Sequence, residues 1–527
     1  MPLQSILRAV LASGLALVFA GCASLPAEVP KTETKALSSA STGDTRLGQG
    51  AQRMTGAHPG QSGIRALSVA NEAFAARILL ARGAQRSLDL QYYIWHRDTT
   101  GQLLWEEVWR AAERGVRVRV LIDDANTGGQ DPMLAALDAH PNIELRLFNP
   151  FANRGFRAGD FLRDFDRVNH RMHNKSFTAD NQVAIVGGRN IGDEYFGANM
   201  EVGFQDLDVM AVGPVVQEVS QEFDLFWNSA SAYPAASMLA GTAPEGMDAL
   251  QASWEANRSR PEAREYIEAT RQTPLVAQVV QGQLDFEWTS AHVLHDDPAK
   301  ALSPPDRTDL HMLPRLEQAL GRPDRELDLV SPYFVPGKDG TAGLSALARR
   351  GVKVRVLTNS LSATDVAPVH AGYAKYRKQL LEAGITLYEL KPGSAVPPPD
   401  KDSRPHGLPG SGSTGGGSAA SLHAKTFAAD RQRLFVGSFN LDPRSASLNT
   451  EMGVVIDSPR LASQLSSQLD SKLPNAAYQV RLSPGGELEW VEREGGQETI
   501  HTTEPRTNGL RRLWVDFLKV LPIESLL

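Results

Sequence analysis

Two patterns of apolar and polar positions alternate along most of the chain. Short apolar runs read as strands: "SLDLQYYIW" (Ser87–Trp95), "VRVRVLIDD" (Val116–Asp124) and "NIELRLFNP" (Asn142–Pro150). Between the first two, "GQLLWEEVWRAAERG" puts Leu104, Val108 and Ala111 on one helical face, with Gly115 as a stop, which predicts a helix over 101–115. The same order returns later as "ELDLVSPYF" (Glu326–Phe334), "GLSALARRGVKVRVLTNS" (Gly343–Ser360) and "GITLYELKP" (Gly384–Pro392). Strands alternating with helices, twice over, predict an α/β protein. Its expected form is two pseudo-symmetric α/β/α sandwich domains in one chain, each with a mostly parallel sheet. A chain of 527 residues is too long for one core, in keeping with two domains at 63–234 and 321–475. Residues 235–320, rich in Ala, Glu, Pro and Gln, read as a connector, and 476–527 as a C-terminal extension.

Each unit is followed by one copy of a polar motif: "RMHNKSFTADNQVAIVGGRN" (Arg171–Asn190) and "SLHAKTFAADRQRLFVGSFN" (Ser421–Asn440). Packing does not explain polar residues held at fixed spacing. His173 and Lys175, like His423 and Lys425, are two apart and share one face of a strand. Asp180 and Asp430 follow at the turn before the next apolar strand, and Asn190 and Asn440 lie at that strand's end. Two copies facing each other would gather two imidazoles, two ammoniums and two amides around one pocket, a set suited to phosphodiester chemistry. A neutral imidazole can attack phosphorus. A protonated one can serve the leaving oxygen. Lysines and amides can stabilise the phosphoryl oxygens, so the chemistry calls for no metal and no cofactor.

The net charge of −7 argues against a dedicated nucleic-acid binder. Cysteine usage adds more. The only Cys is Cys22, so no intramolecular disulfide forms. It follows Arg8 and an apolar run, Ala9 to Ala20, too short to span a bilayer comfortably. "FAGC" resembles the bacterial lipobox, which implies a lipoprotein-type signal peptide at 1–21 and a lipidated Cys22. Residues 22–62, rich in Ser, Thr, Gly, Ala and Pro, then read as a flexible tether. The expectation is a protein anchored in the bacterial cell envelope and facing the periplasm.

The paired His-x-Lys-x4-Asp motifs, each followed by Gly-x-x-Asn, resemble those of the phospholipase D superfamily. "DLQYYIW", "DLDVMAVGPVV", "YFVPGKDG" and "GSFNLDPRSASLNTEMG" are similar to its bacterial cardiolipin synthase C branch, and the likeness runs from about residue 70 onward. The resemblance implies a phosphatidyl transferase. One His takes the phosphatidyl group from a donor phospholipid such as phosphatidylethanolamine, and phosphatidylglycerol attacks the phosphohistidine to give cardiolipin. It carries the catalytic set onto His173, Lys175, Asp180, His423, Lys425 and Asp430, with the two Asp read as anchors of their turns. By analogy His173 is the nucleophile and His423 the general acid. The family also requires a carboxylate to orient each imidazole. "LNTEMG" offers Glu451, eleven residues beyond Asn440; the same offset from Asn190 lands on Glu201, whereas the resemblance points to Asp208, which continues into an apolar strand. A phospholipase D-type hydrolase, a nuclease and a non-catalytic envelope lipoprotein are the alternatives.

Three further segments carry expectations. The Gly/Ser/Pro-rich loop at 397–421 runs into the second motif. "HAGYAKYRKQ" (His370–Gln379) is either a phosphate-binding helix or a solvated face. "NGLRRLWVDFLKVLPIESLL" (Asn508–Leu527) predicts a helix whose stripe of Leu510, Leu513, Trp514, Phe517, Leu518 and Leu521 meets either a membrane surface or the protein's own core.

Overall fold

The computed structural model describes residues 25–26, 29–199, 202–393 and 419–527. Cys22, the segment read as a signal peptide, Glu201 and most of the Gly/Ser-rich loop lie outside them.

Each half builds one large sheet. The first runs in the order Glu287–Thr289, Ser62–Leu67, Asp208–Val212, Val183–Gly187, Ser176–Ala179, Ser87–Tyr92, Arg117–Asp123, Ile143–Phe148, Ala232–Pro234. The second runs Ala291–His295, Met452–Ile456, Arg433–Gly437, Lys425–Ala429, Glu326–Val330, Lys353–Asn359, Thr386–Leu390, Ala477–Leu482, Leu488–Glu494, Gln497–His501. From Asp208–Val212 to Ile143–Phe148 in one, and from Met452–Ile456 to Thr386–Leu390 in the other, the strands correspond one to one.

The sheets are mixed rather than mostly parallel. Only the β-α-β-α-β strands pair in parallel. The motif strands return antiparallel, as Ser176–Ala179 with Val183–Gly187 and as Lys425–Ala429 with Arg433–Gly437. The reason is local. A three-residue connection can join only antiparallel neighbours, and Asp180, Asn181, Asp430 and Arg431 all take the positive φ that closes it.

Two stretches differ from their sequence reading. The segment read as a connector is largely helical: Ala235–Met238, Met247–Ser259, Pro261–Arg271 and Pro274–Gln281 pack on the first half and Leu313–Leu320 on the second. It also holds two edge strands. Thr289 pairs with Ser62 of the first sheet and Ala291 with Ile456 of the second, so the halves join at Ser290. The supposed tether is also partly ordered. Arg46–Thr55 is a helix. Upstream, the buried Arg146 donates to the Thr32 carbonyl at 2.7 Å, Arg119 to that of Thr34 at 3.0 Å, and the Ala36 N–H to Asp224 at 2.9 Å. A segment with few apolar side chains is thus held by backbone groups that satisfy buried cations.

Each half has its own core. A third cluster lies between them, where Ile64, Val186, Val209, Val216 and Val219 meet Leu434, Val436, Val454 and Ile456. Burying side chains of this size contributes roughly 1.5–3 kcal/mol each, which fixes the two sheets against one another and with them the two motifs.

Candidate active site

The motif pairs are brought together by two short exchanges of backbone between the halves. His173 donates its N–H to the Thr450 carbonyl at 2.8 Å, while Thr450 N–H returns to Arg171 at 2.9 Å. In the mirror arrangement Ala419–Leu422 pairs in parallel with Val202–Gln205, and His423 N–H donates to the Gln205 carbonyl at 2.8 Å. The residue after each acceptor is a carboxylate, and it reaches the imidazole that docked there. His173 Nδ1 donates to Glu451 at 2.9 Å, and His423 Nδ1 to Asp206 at 2.6 Å. Each half therefore supplies the carboxylate that orients the other half's histidine. Neither half-site is complete alone.

Asp206, not Asp208, is the orienting carboxylate of the first half, and it serves the second half's His423, as Glu451 serves His173 rather than its own half's histidine. Asp208 instead pairs with Arg77 at 2.9 Å and Arg189 at 3.3 Å, both buried. Strand register explains the shift. Asp208 lies opposite Gly187, as Gly453 lies opposite Gly437. The residues two positions earlier, on the same face, are Asp206 and Glu451. The useful signal was therefore a carboxylate two residues before the partner of the motif glycine. Five extra residues between Asn190 and Asp206 hid it from a fixed offset.

The four central side chains are all buried. Burial pushes the His173 imidazole well below its ordinary value, and the Lys175 and Lys425 ammoniums push the same way. His423 is also lowered, first by burial and by Lys425, with Asp206 opposing. Burial brings Lys425 down to about 8 and Lys175 well below its usual range. The two carboxylates differ. Burial raises Glu451 to about 7, against the pull of Lys175 and the hydrogen bonds of Ser438 and Ser445. Burial also opposes ionisation of Asp206, but His423, Lys425 and Arg189 outweigh it and hold that carboxyl below its ordinary value. Lys425 Nζ lies 3.2 Å from His423 Nε2. Among the described residues no hydrogen bond engages Nε2 of His173, which leaves its lone pair available.

Asp180 and Asp430 touch neither imidazole. Asp180 accepts from the N–H groups of Gln85, Arg86 and Ser87 at 2.7–3.1 Å, and Asp430 from those of Asp324, Arg325 and Glu326 at 2.8–3.0 Å. Each stands at the far end of its motif strand from the His-Lys pair and ties the hairpin to the neighbouring parallel strand. Asn190 also braces the framework, accepting from Ile94 N–H at 3.1 Å and donating to the Tyr195 hydroxyl at 3.0 Å. Asn440 differs, since its buried side-chain oxygen has no hydrogen-bond partner among the described residues.

Residues 78–227 and 316–473, one stretch in each half, match the family described as "Cardiolipin synthase, PLD-like domain". The chain belongs to that family. Among the relatives of this cardiolipin synthase family member is Cardiolipin synthase C of Escherichia coli (strain K12), 46% identical over 487 residues, 92% of this chain and 100% of the relative. An uncharacterized protein of Helicobacter pylori (strain ATCC 700392 / 26695) is 30% identical over 480 residues, 89% of this chain and 90% of its own. Among solved structures, the phosphatidylserine synthase of Haemophilus influenzae Rd KW20 is 15% identical, covering 82% of this chain and 91% of that one, with a TM-score of 0.49.

Several neighbours of the site were not singled out by the motif. Tyr93 meets the His173 ring edge-on at 5.2 Å, Tyr195 does the same for His423 at 5.2 Å, and Phe204 stacks on His423 at 5.1 Å. From the segment between the halves, Asp296 accepts from Glu451 N–H at 2.8 Å and pairs with the buried Lys300 at 3.1 Å. Asn174 joins Glu222 at 2.7 Å and Thr450 at 2.8 Å, locking the first exchange beneath the pocket. Within "HAGYAKYRKQ", Arg377 turns inward, to Glu389 at 3.0 Å and Glu504 at 2.5 Å, so its charge is spent inside the fold.

Proposed function

We propose that this chain is a phosphatidyl transferase that forms cardiolipin from phosphatidylglycerol and a second phospholipid through a phosphohistidine. The observation that carries the reading is the crossed pair of imidazoles, each oriented by the opposite half's carboxylate and flanked by a buried lysine. Nε2 of His173 attacks the phosphorus of the donor lipid, and the bond from phosphorus to the headgroup oxygen breaks. His423, in its protonated form, gives the departing oxygen its Nε2 proton, and the ionised Asp206 stabilises that imidazolium. In the second step His423 takes the proton from the hydroxyl of phosphatidylglycerol. That oxygen then attacks phosphorus and frees His173. Lys175 and Lys425 neutralise the equatorial oxygens throughout. The division of roles follows the two carboxylates: Asp206, held ionised by the cations around it, favours a proton on its partner, whereas Glu451, raised to about 7, supports a proton on His173 less and leaves that imidazole neutral for attack.

The protein is associated with the bacterial membrane in this reading, with Cys22 as a lipidated anchor and the body on the periplasmic side. Labelled fatty acid should enter the wild type and not Cys22→Ser; equal labelling would remove the anchor. The function itself is tested by incubating the full chain with vesicles of phosphatidylglycerol and phosphatidylethanolamine and identifying the products by mass spectrometry. Cardiolipin is the expected product. Phosphatidate alone would make the protein a hydrolase, and no change in either lipid would make it a non-catalytic binding protein.

A further inference from the structure

Among the described residues, fifteen large apolar side chains are well exposed, and ten of them fall in two segments, 156–165 and 510–526. Such clustering differs from the scattered exposure of an ordinary surface. The first segment carries Phe156 just before the short helix Arg157–Arg163, Phe161 and Leu162 on it, and Phe165 on the short helix Phe165–Val168. The second is the helix Gly509–Val520, whose sequence stripe is only partly used for packing. Val515 and Leu518 dock on Leu361 and Ala371, whereas Leu510 (80% exposed), Leu513 (66%), Trp514 and Phe517 face outward.

The two segments come from different halves, yet one side chain just after the second motif bridges their ends. The Arg444 guanidinium donates in both directions: to Asn169 O at 2.9 Å, directly after the helix Phe165–Val168, and to Leu526 O at 3.1 Å in the second segment. Asn169 is four residues before His173. Both segments also follow the carboxyl ends of parallel strands, the first after Ile143–Phe148, the second seated on the stretch after Lys353–Asn359, where α/β sheets place their ligands. The local charge opposes that of the whole chain. Residues 508–527 hold Arg511, Arg512 and Lys519 against Asp516 and Glu524, in a protein of net charge −7; in the first segment Arg157, Arg163 and Arg167 flank the apolar side chains, while Arg154 and Arg171 turn inward to Asp124, Asp131 and Asp123.

We infer that these two apolar segments, one from each half, form a single surface that seats the pocket on an anionic phospholipid bilayer. The inference rests on the lipid-transferring function proposed above, because a diacyl substrate must leave its bilayer to reach His173. Apolar side chains enter the acyl boundary while the flanking cations meet phosphate headgroups. Two weak contacts on one rigid body reinforce each other by effective concentration.

Trp514 supplies a local reporter. The full chain is mixed with vesicles of phosphatidylethanolamine and brominated phosphatidylglycerol, and tryptophan fluorescence is read. Quenching is expected in the wild type and should be lost in Trp514→Phe, whether or not a lipid anchor is present. Leu162→Glu with Leu513→Glu should lower turnover of vesicle lipid at least tenfold. It should leave turnover of a soluble short-chain phosphodiester and the melting temperature unchanged. Quenching that persists in Trp514→Phe overturns the surface. So does equal loss of vesicle and soluble turnover with a lower melting temperature, which makes the stripe part of the core, or self-association of the wild type without quenching, which makes the face an interface between copies. A protein that is quenched but alters no lipid loses the proposed function and keeps the surface; one that makes cardiolipin at an undiminished rate in the double variant does the reverse.

Discussion

The two half-sites share a motif and differ in what stands behind it. In the first half the motif reads Gly187-Gly188, in the second Gly437-Ser438. A Cβ on Gly188 would lie 2.3 Å from Asp206 Oδ1, so the short carboxylate occupies the room a side chain would take. In the second half the Ser438 hydroxyl occupies that place and donates to Glu451 at 2.5 Å, with Ser445 adding a second bond at 2.8 Å. One carboxylate is surrounded by cations and stays ionised. The other is sheathed in hydroxyls and titrates near neutrality. Pseudo-symmetry of backbone thus permits asymmetry of protonation, which an acid and a nucleophile in one pocket require.

The strongest way to break the comparison is to remove each imidazole in turn. His173→Ala and His423→Ala should each lower turnover by about 10⁴-fold or more, because the crossed carboxylates leave no half-site able to act alone. A phosphoenzyme trapped with slow substrate should map to His173; a phosphate found on His423 would reverse the roles.

The carboxylates come next. Asp206→Asn should cost about 10³-fold in kcat, since an amide can present the wrong group to Nδ1 and cannot balance an imidazolium. Glu451→Gln should cost only about tenfold at pH 7, because the native side chain is already partly neutral there. Equal losses would erase the proposed asymmetry.

A smaller effect sharpens it further. Glu451 is raised to about 7, so an ionised Glu451 is present above that pH and is lost as pH falls through it. An acid limb near neutrality is therefore expected in the kcat/KM profile. The Ser438 hydroxyl lowers the Glu451 value, so Ser438→Ala should move that limb upward while leaving the alkaline side in place. A limb that stays put would assign it to another group.

The smallest effects concern stability. Asp180 is fully buried and Asp430 partly exposed, though both accept three backbone N–H groups. Asp180→Ala should cost about 3 kcal/mol and Asp430→Ala about 1 kcal/mol in chemical denaturation, since water can satisfy the N–H groups around the second. Comparable midpoints would mean that the two hairpins are equally tied.

The repeated α/β units, the twin His-Lys pairs and the anchoring role of the motif Asp were legible in the sequence because each is written in local spacing. Alternation marks strands, period two puts His and Lys on one face, and Asp at a tight turn tolerates positive φ. Glu451 came from the family resemblance of "LNTEMG", and its offset from Asn440 did not transfer to the first half. Asp206 was not found, because its position depends on the pairing of Gly187 with Asp208 across the sheet and on an insertion that shifts the count. The ordered part of 31–55 was missed for a related reason: its partners, Arg119, Arg146 and Asp224, lie far along the chain and bond its backbone rather than its side chains.

The sequence by itself determined which chemical groups are present and in what local order, since covalent spacing sets which side chains share a strand face or a turn. Only the tertiary structure decided which carboxylate serves which histidine. That choice is made where His173 meets Thr450 and His423 meets Gln205, contacts between residues more than 200 positions apart. The apolar packing of one sheet on the other brings them together, and no short-range pattern encodes it. The same packing sets how far burial moves each proton, because desolvation depends on what covers a group and not on its neighbours in the chain.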